Sequence, residues 1–316
     1  MARLPRPSPR VLYVLNVDRP PGTRARLDRI QAVLTRQERV RAWRPAVPGI
    51  AEVFHAHFVE HAYPPHTHDM WTLLIVDDGA IRFDLEQHPH GAVQPEVTLL
   101  PPHVAHDGRS ATRHGFRKRV LYLDTSVLGE ELIGAAVDRP SVPDAVLRQR
   151  VHQLHLVLAE PADGFEAESR LVLIRERLRQ HLVGHVGLAS DRAPVGLASD
   201  RGPAGLASDR ALAGLAGSLR DLLDARTATG ISLHEAADVL HAHPAHLVRA
   251  FTRAYGLPPH LYLTGRRVEL ARRLLLAGQP AAQVAASAGF YDQSHLTRHF
   301  KRHLGVSPAR YAADRC

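Results

Sequence analysis

The stretch GFYDQSHLTRHFKRHLGVSP, residues 289–308, decides how the C-terminal part of the chain folds. Gly289 can end one helix, and Asp292 can accept backbone N–H bonds as the N-cap of the next. Leu296 and Phe300 lie four residues apart, so they hold this second helix by one face and leave its opposite face free. The stretch predicts a helix-turn-helix whose second helix can enter a groove of DNA.

The same unit occurs twice, because residues 236–262 align with the end of the chain when they are moved forward by 49 positions. The aligned identities are Ala236 with Ala285, Ala237 with Ala286, His246 with His295, Leu247 with Leu296, Arg249 with Arg298, Phe251 with Phe300, Arg253 with Arg302, Gly256 with Gly305, Pro259 with Pro308 and Tyr262 with Tyr311. Residues 260–276 between the copies predict a spacer helix about 25 Å long. The two second helices can then occupy successive major grooves.

We predict DNA contacts from the outward faces of these two helices. The residues are His246, Val248, Arg249 and Thr252 in the first copy, and Gln293, Ser294, Thr297, Arg298 and Lys301 in the second. Glutamine pairs with adenine edges and arginine with guanine edges, so Gln293 is a candidate for base readout. Arg298 can contact either a base or a phosphate, and its counterpart Arg249 favours the phosphate. The histidines His241, His243 and His246 straddle the first turn and are not expected to bind a metal.

The quoted stretch resembles the signature of the AraC/XylS family of bacterial transcription regulators, and the resemblance covers residues 231–311. It implies a cytoplasmic, sequence-specific DNA-binding protein, more often an activator than a repressor. Its implied partners are double-stranded promoter DNA, RNA polymerase, a small effector and a second copy of the chain. The first copy departs from the family at His243, where a capping serine is usual, so its base specificity is open.

The preceding region predicts an all-β domain. Short apolar runs at residues 71–76, 81–85, 97–100 and 120–123 are separated by turn residues, a spacing typical of a barrel or sandwich. The motifs PHTH at residues 65–68 and PPHVAH at residues 101–106 resemble the two strand motifs of the cupin barrel. The fold class is therefore predicted as α+β with two domains, a cupin-like barrel with flanking helices and an all-α double helix-turn-helix.

The histidines of the barrel predict a ligand pocket rather than a catalytic centre. We expect His66, His68, Trp71 and His106 to bind a small polar effector, with Phe58, Tyr63 and Phe83 as walls. The resemblance to enzymatic cupins implies a glutamate ligand a few residues after the first motif, and the sequence there reads DMWTLL. We therefore expect no metal, no cofactor and no enzymatic activity. A metal-dependent enzyme fused to DNA-binding helices is the alternative, and ordinary packed histidines are a third interpretation.

The remaining segments set the predicted domain boundaries. GLASDR begins at residues 187, 196 and 205, which indicates a linker over 187–216 between a sensor domain at 49–186 and a DNA-binding domain at 217–316. Two apolar stripes, Leu147, Val151, Leu154 and Leu158 and then Leu171, Ile174, Leu178 and Leu182, either cover the barrel or join two subunits. Residues 1–48 are expected to be a flexible basic extension, with a second option of a basic helix over residues 23–43.

Composition agrees with this division. Residues 217–316 hold 13 basic against 7 acidic side chains, a balance typical of surfaces that meet nucleic acid. The single cysteine, Cys316, excludes an intrachain disulfide and a cysteine-based zinc finger. No apolar run approaches the length of a membrane span, so we expect a soluble protein.

Overall fold

The structure is a computed structural model that describes residues 38–159, 164–189 and 203–313. Its N-terminal half is β-rich. The strands are β1 Arg39–Trp43, β2 Ile50–Phe58, β3 Tyr63–His66, β4 Trp71–Gly79, β5 Ile81–Leu85, β6 His88–Ala92, β7 Val97–Leu100, β8 His106–Ser110, β9 Phe116–Leu123 and β10 Ser141–Val142. They form one sheet in the order β1-β2-β9-β4-β7-β10 and another in the order β3-β8-β5-β6. The four predicted strands are confirmed as β4, β5, β7 and β9.

Alternation along the strands creates two separate cores, because successive side chains point to opposite faces of a sheet. In β4, Leu74 and Val76 join the core to which both sheets contribute. Trp71, Leu73 and Ile75 belong to a second core on the other face of the larger sheet. This second face is covered by helices.

The covering helices are α1 Ile133–Asp138, α2 Ala145–Ala159 and α3 Gly164–Ala189. Both predicted apolar stripes lie on α2 and α3 and are buried in the second core. Ile174 and Leu178 have no exposed surface. Of the two alternatives, the stripes therefore cover the barrel, and these residues do not join two subunits.

The barrel begins earlier than the predicted boundary at residue 49. Strand β1 pairs antiparallel with β2, with Val40 opposite Ala56, and Val40 and Ala42 are buried. Arg39 and Arg41 alternate with these apolar residues, so an arginine-rich strand was mistaken for part of a basic extension or helix. The rest of that extension, residues 1–37, lies outside the described residues.

The C-terminal half is helical. Its helices are α4 Pro203–Ala225, α5 Leu233–Val239, α6 Pro244–Tyr255, α7 Pro259–Leu276, α8 Ala281–Ser287, α9 Gln293–Leu304 and α10 Pro308–Ala313. The predicted linker is shorter than 187–216, because α3 extends to Ala189 and α4 already includes the third GLASDR copy. Ala216 is buried, and Leu219 and Leu223 join the core of α5 and α6, so α4 belongs to the DNA-binding part. Residues 190–202 lie outside the described residues.

The two copies of the helix-turn-helix are packed differently. Leu247 and Phe251 of the first copy form a core with α4. Leu296 and Phe300 of the second copy instead join the barrel core, together with Val268 of the spacer helix α7. The second copy is thus firmly docked on the barrel.

Candidate functional sites

The second helix-turn-helix has the local geometry that its sequence predicts. Gly289 adopts φ +77°, and a Cβ at this position would lie 2.4 Å from the Ala228 carbonyl oxygen, so the turn requires glycine. Asp292 accepts a hydrogen bond from the His295 backbone N–H at 2.6 Å and caps α9. Leu296 and Phe300 are fully buried. The cap at Asp292 and the burial of Leu296 and Phe300 therefore fix the orientation of α9, and with it the direction of its outward face.

The first copy reaches the same shape with different residues. The capping box of Ser232 and Glu235 begins α5. His243 takes the cap position of α6, where its Nδ1 accepts from the Ala245 N–H at 3.2 Å. A histidine can thus replace the serine that is usual in the family. Gly256 ends α6 in the left-handed conformation at φ +71°.

The structure places most of the predicted DNA contacts on open surface. His246, Arg249, Gln293, Ser294, Arg298 and Lys301 are exposed, and Thr252 and Thr297 are half-buried. Val248 is half-buried as well, and its side chain lines an apolar cavity shared with Leu219 and Leu263. Sequence reasoning missed Tyr291, which is 93% exposed immediately before α9. Its hydroxyl can bind a phosphate oxygen, the commonest kind of protein–DNA contact.

His66, His68 and His106 meet inside the barrel, as the sequence predicts. One ring nitrogen of each lies within 4.8 Å of the others, and all three residues are buried or nearly so. The Nδ1 of His66 contacts the Pro64 carbonyl oxygen at 2.7 Å, and the Nδ1 of His106 contacts the Val104 carbonyl oxygen at 3.0 Å. Burial lowers the pKa of His66 and His68 well below its ordinary value and that of His106 to about 4. The imidazoles are therefore neutral at neutral pH.

Three parts of the predicted effector pocket are corrected. Trp71 lies in the second core, on the far side of the larger sheet, where its Nε1 donates to the Leu128 carbonyl at 2.6 Å. The cavity beside His66 and His68 has a volume of about 20 Å³. An organic ligand needs about 300 Å³ or more, whereas one water molecule needs about 10–15 Å³. Phe58 and Phe83, two of the expected walls, fill the barrel interior instead.

One edge of the histidine cluster is provided by the DNA-binding part of the chain. The Nδ1 of His68 lies 2.7 Å from Oε1 of Glu269, which projects from α7. Arg266 binds the other oxygen of Glu269 at 2.6 Å and also contacts Asp69 at 3.1 Å and Asp224 at 2.9 Å. Burial raises the pKa of Glu269 to about 8, as does the neighbouring Asp69, while Arg266 opposes the rise. The His68–Glu269 contact is thus a hydrogen bond with a neutral imidazole.

A second polar link crosses the same boundary. Arg272 of α7 binds Glu52 of β2 at 2.6 Å, and the Tyr311 hydroxyl donates to the same carboxylate oxygen at 2.6 Å. The two charged side chains are 3% and 5% exposed. The Arg272 guanidinium also lies 4.4 Å from the centre of the Tyr122 ring. Burial alone would lower the pKa of Arg272, but the Glu52 carboxylate raises it well above its ordinary value.

A cavity with a volume of about 670 Å³ lies between the barrel and the first helix-turn-helix. We call it the cleft. Its barrel wall is acidic and its helical wall is basic. The acidic residues are Asp84, Glu86, Asp107 and Glu130, and the basic residues are Arg220 and Arg253. His106 borders it as well, so the cleft approaches the histidine cluster from outside.

Comparisons with known proteins agree with this two-part organisation. A profile of the AraC-like ligand binding domain matches residues 49–174, and a profile of a helix-turn-helix domain matches residues 236–314. The chain belongs to the AraC family of transcriptional regulators. It is a DNA-binding regulator with an N-terminal ligand-binding domain, and the alternative of a metal-dependent enzyme gains no support from these matches.

Among individual relatives, this AraC-family chain is similar to the uncharacterized HTH-type transcriptional regulator YbfI of Bacillus subtilis, with 23% identity over 74% of this chain and 81% of YbfI. It is 35% identical to the probable transcriptional regulator LumQ of Photobacterium leiognathi, over 26% of this chain and only 33% of LumQ. The crystal structure of ToxT from Vibrio cholerae O395 superposes with a TM-score of 0.51 and 11% identity, over 88% of this chain and 97% of ToxT. At that identity the superposition shows the fold alone. None of the described helices is long and apolar enough to cross a membrane.

Proposed function

We propose that this regulator holds promoter DNA through α6 and α9 together. The family resemblance implies an activator or, less often among its members, a repressor. The observation that carries the proposal is the exposure of both predicted contact faces while the second copy is docked. The barrel does not cover these faces, so it cannot control DNA binding by blocking them. It controls binding instead through the placement of α6 relative to α9. Gln293 reads a base edge, and Arg298 and Arg249 position the protein on phosphates. The setting is the cytoplasm, with RNA polymerase as the partner at the promoter.

The effector binds in the cleft, in our proposal. Among the described residues, the first helix-turn-helix borders the cleft and the second does not; the second is anchored in the barrel core. A ligand there contacts the barrel and α6 together, and it alters DNA binding only if its affinity differs between two placements of α6. Acidic and basic side chains on opposite walls favour a small polar molecule that carries groups of both charges.

Filling the cleft should abolish the response to the effector. Ala254 is exposed on the cleft wall, so Ala254→Trp is expected to remove the rise in melting temperature that a bound metabolite causes. The measurement is thermal unfolding of the full chain against a library of small polar metabolites. Ala213→Trp, on an exposed site of α4 outside the cleft, is the matched control and should respond as the parent does. A shift that persists in Ala254→Trp would place the ligand elsewhere.

We propose that two copies of the chain associate through the outer face of α3. Val172 and Leu173 are about half exposed on α3, outside the buried stripe. We expect Leu173→Asp to lower the mass measured by light scattering from that of a dimer to that of a monomer. Val93→Asp, a similarly exposed apolar residue on the barrel, should leave the mass unchanged. An unchanged mass in Leu173→Asp would remove α3 as the interface.

A further inference from the structure

We propose that His66, His68 and His106 bind a divalent transition-metal ion, and that this ion ties the barrel to helix α7 through Glu269. Imidazole is a common ligand for zinc, iron, nickel and copper. The three residues are grouped by two short loop-and-strand segments, since His66 ends β3, His68 follows it and His106 begins β8. Strands β3 and β8 pair directly, with His66 opposite His106.

The separation of the rings suits a metal ion. One ring nitrogen of each histidine lies no more than 4.8 Å from the others, so a central point lies at most about 2.8 Å from each, and a zinc–nitrogen bond is about 2.0–2.1 Å long. Each imidazole therefore needs to move inward by less than an ångström. The ring centroids of His66 and His106 are 4.5 Å apart, and those of His66 and His68 are 4.8 Å apart.

The hydrogen bonds already select the ligand atom. A carbonyl oxygen only accepts hydrogen bonds, so the Nδ1 atoms of His66 and His106 must carry hydrogen, and their Nε2 atoms keep the lone pair. The Nδ1 of His68 faces a carboxyl oxygen of Glu269. Metal-binding histidines typically have this arrangement, with the second ring nitrogen held by a carbonyl or a carboxylate.

The cavity beside His66 and His68 is too small for an organic ligand. Its volume of about 20 Å³ holds one water molecule or one ion, whereas His106 borders the larger cleft instead. Three histidines and a water complete the tetrahedral geometry that zinc adopts. The protein would supply three nitrogen ligands without the glutamate whose absence led us to expect no metal, and a water molecule would take the fourth position.

The ion would couple two parts of the molecule. Glu269 lies 201 positions from His68 and belongs to the spacer helix between the two DNA-reading helices. His303 of α9 also approaches His66, with ring centroids 6.5 Å apart. If binding of the ion strengthens the His68–Glu269 contact, docking of α7 must by linkage strengthen binding of the ion. Metal supply would then bias the placement of α9.

The test uses the full chain stripped with a chelator and titrated with Co²⁺, whose visible absorption reports coordination by nitrogen ligands. We expect saturation at one equivalent, reversal by Zn²⁺ and a higher melting temperature of the loaded protein. Glu269→Gln should weaken the affinity about 10–100-fold. His88→Ala, an exposed histidine of β6, is the control and should bind as the parent does.

Two results would overturn the proposal. One is a parent protein that is folded by circular dichroism and takes up no stoichiometric Co²⁺ or Zn²⁺. The other is full binding in the His66→Ala/His106→Ala double variant. If that double variant does not fold, the metal affinity of Glu269→Gln becomes the test. An affinity equal to that of the parent would contradict the proposed coupling through Glu269. No DNA is present in these measurements, so their outcome does not depend on whether the proposed promoter binding is correct.

Discussion

Replacing Glu52 with alanine is expected to lower the free energy of unfolding by about 3–5 kcal/mol. The substitution leaves the Arg272 guanidinium, 3% exposed, without its carboxylate, and it also removes the acceptor of the Tyr311 hydroxyl. Because these contacts join β2 to α7 and α10, the loss should appear first as undocking of the second helix-turn-helix. Denaturant unfolding and limited proteolysis between the two parts would measure it.

Two control variants distinguish the effect of breaking the buried Glu52–Arg272 ion pair from the effect of removing an exposed charge. Glu166→Ala removes an exposed carboxylate that pairs with Arg170 one helical turn away, and it should cost only about 0.3–0.5 kcal/mol. The double variant Glu52→Leu/Arg272→Met leaves no unpaired buried charge and should recover most of the stability. Equal losses in Glu52→Ala and Glu166→Ala would contradict the assignment of this contact as the link between the two parts.

Replacing Gln293 or Arg298 should have opposite kinds of effect on DNA binding. Gln293→Ala is expected to relax the preference at one base pair by about 1–3 kcal/mol, because the bidentate contact to a base edge is lost. Arg298→Ala should weaken binding to all sequences alike and reduce the slope of log K against log salt by about 1. Competition binding with single-base variants of a recovered site, at several salt concentrations, measures both.

Gln149→Ala, on the exposed face of α2, is the matched control and should leave affinity and specificity unchanged. If Arg298→Ala relaxes specificity and Gln293→Ala changes only the salt slope, the two roles are exchanged. Tyr291 offers an independent check, because Tyr291→Phe should weaken all sequences slightly if its hydroxyl binds phosphate.

The helix-turn-helix could be predicted in detail from the sequence because its determinants are local. Gly289, Asp292 and the Leu296–Phe300 pair act within one or two helical turns, and the duplication shows the same residues twice. The grouping of the histidines was also expected from the sequence, but strand alternation is not its cause. His68 lies just after β3, and His106 joins the group because β3 pairs with β8. Trp71 was misplaced because it begins a new strand, β4, whose alternation puts it in the other core.

The contacts that join the two parts could not be predicted from one sequence. Glu52 and Arg272 are separated by 220 positions, and neither is part of a recognisable motif. Strand β1 was hidden for a different reason. Its arginines alternate with Val40 and Ala42, and in an arginine-rich segment the period of two is difficult to distinguish from a general basic bias.

The measurement that tests the central claim most directly is recovery of genomic fragments by the purified full-length protein at physiological salt, followed by sequencing. The account predicts upstream fragments that share two half-sites about 10–10.5 base pairs apart, one for α6 and one for α9. It also predicts that these fragments are lost when Arg249 and Arg298 are both replaced by alanine. Recovery of unrelated DNA without a shared motif, or an unchanged set of fragments with the double variant, would contradict it.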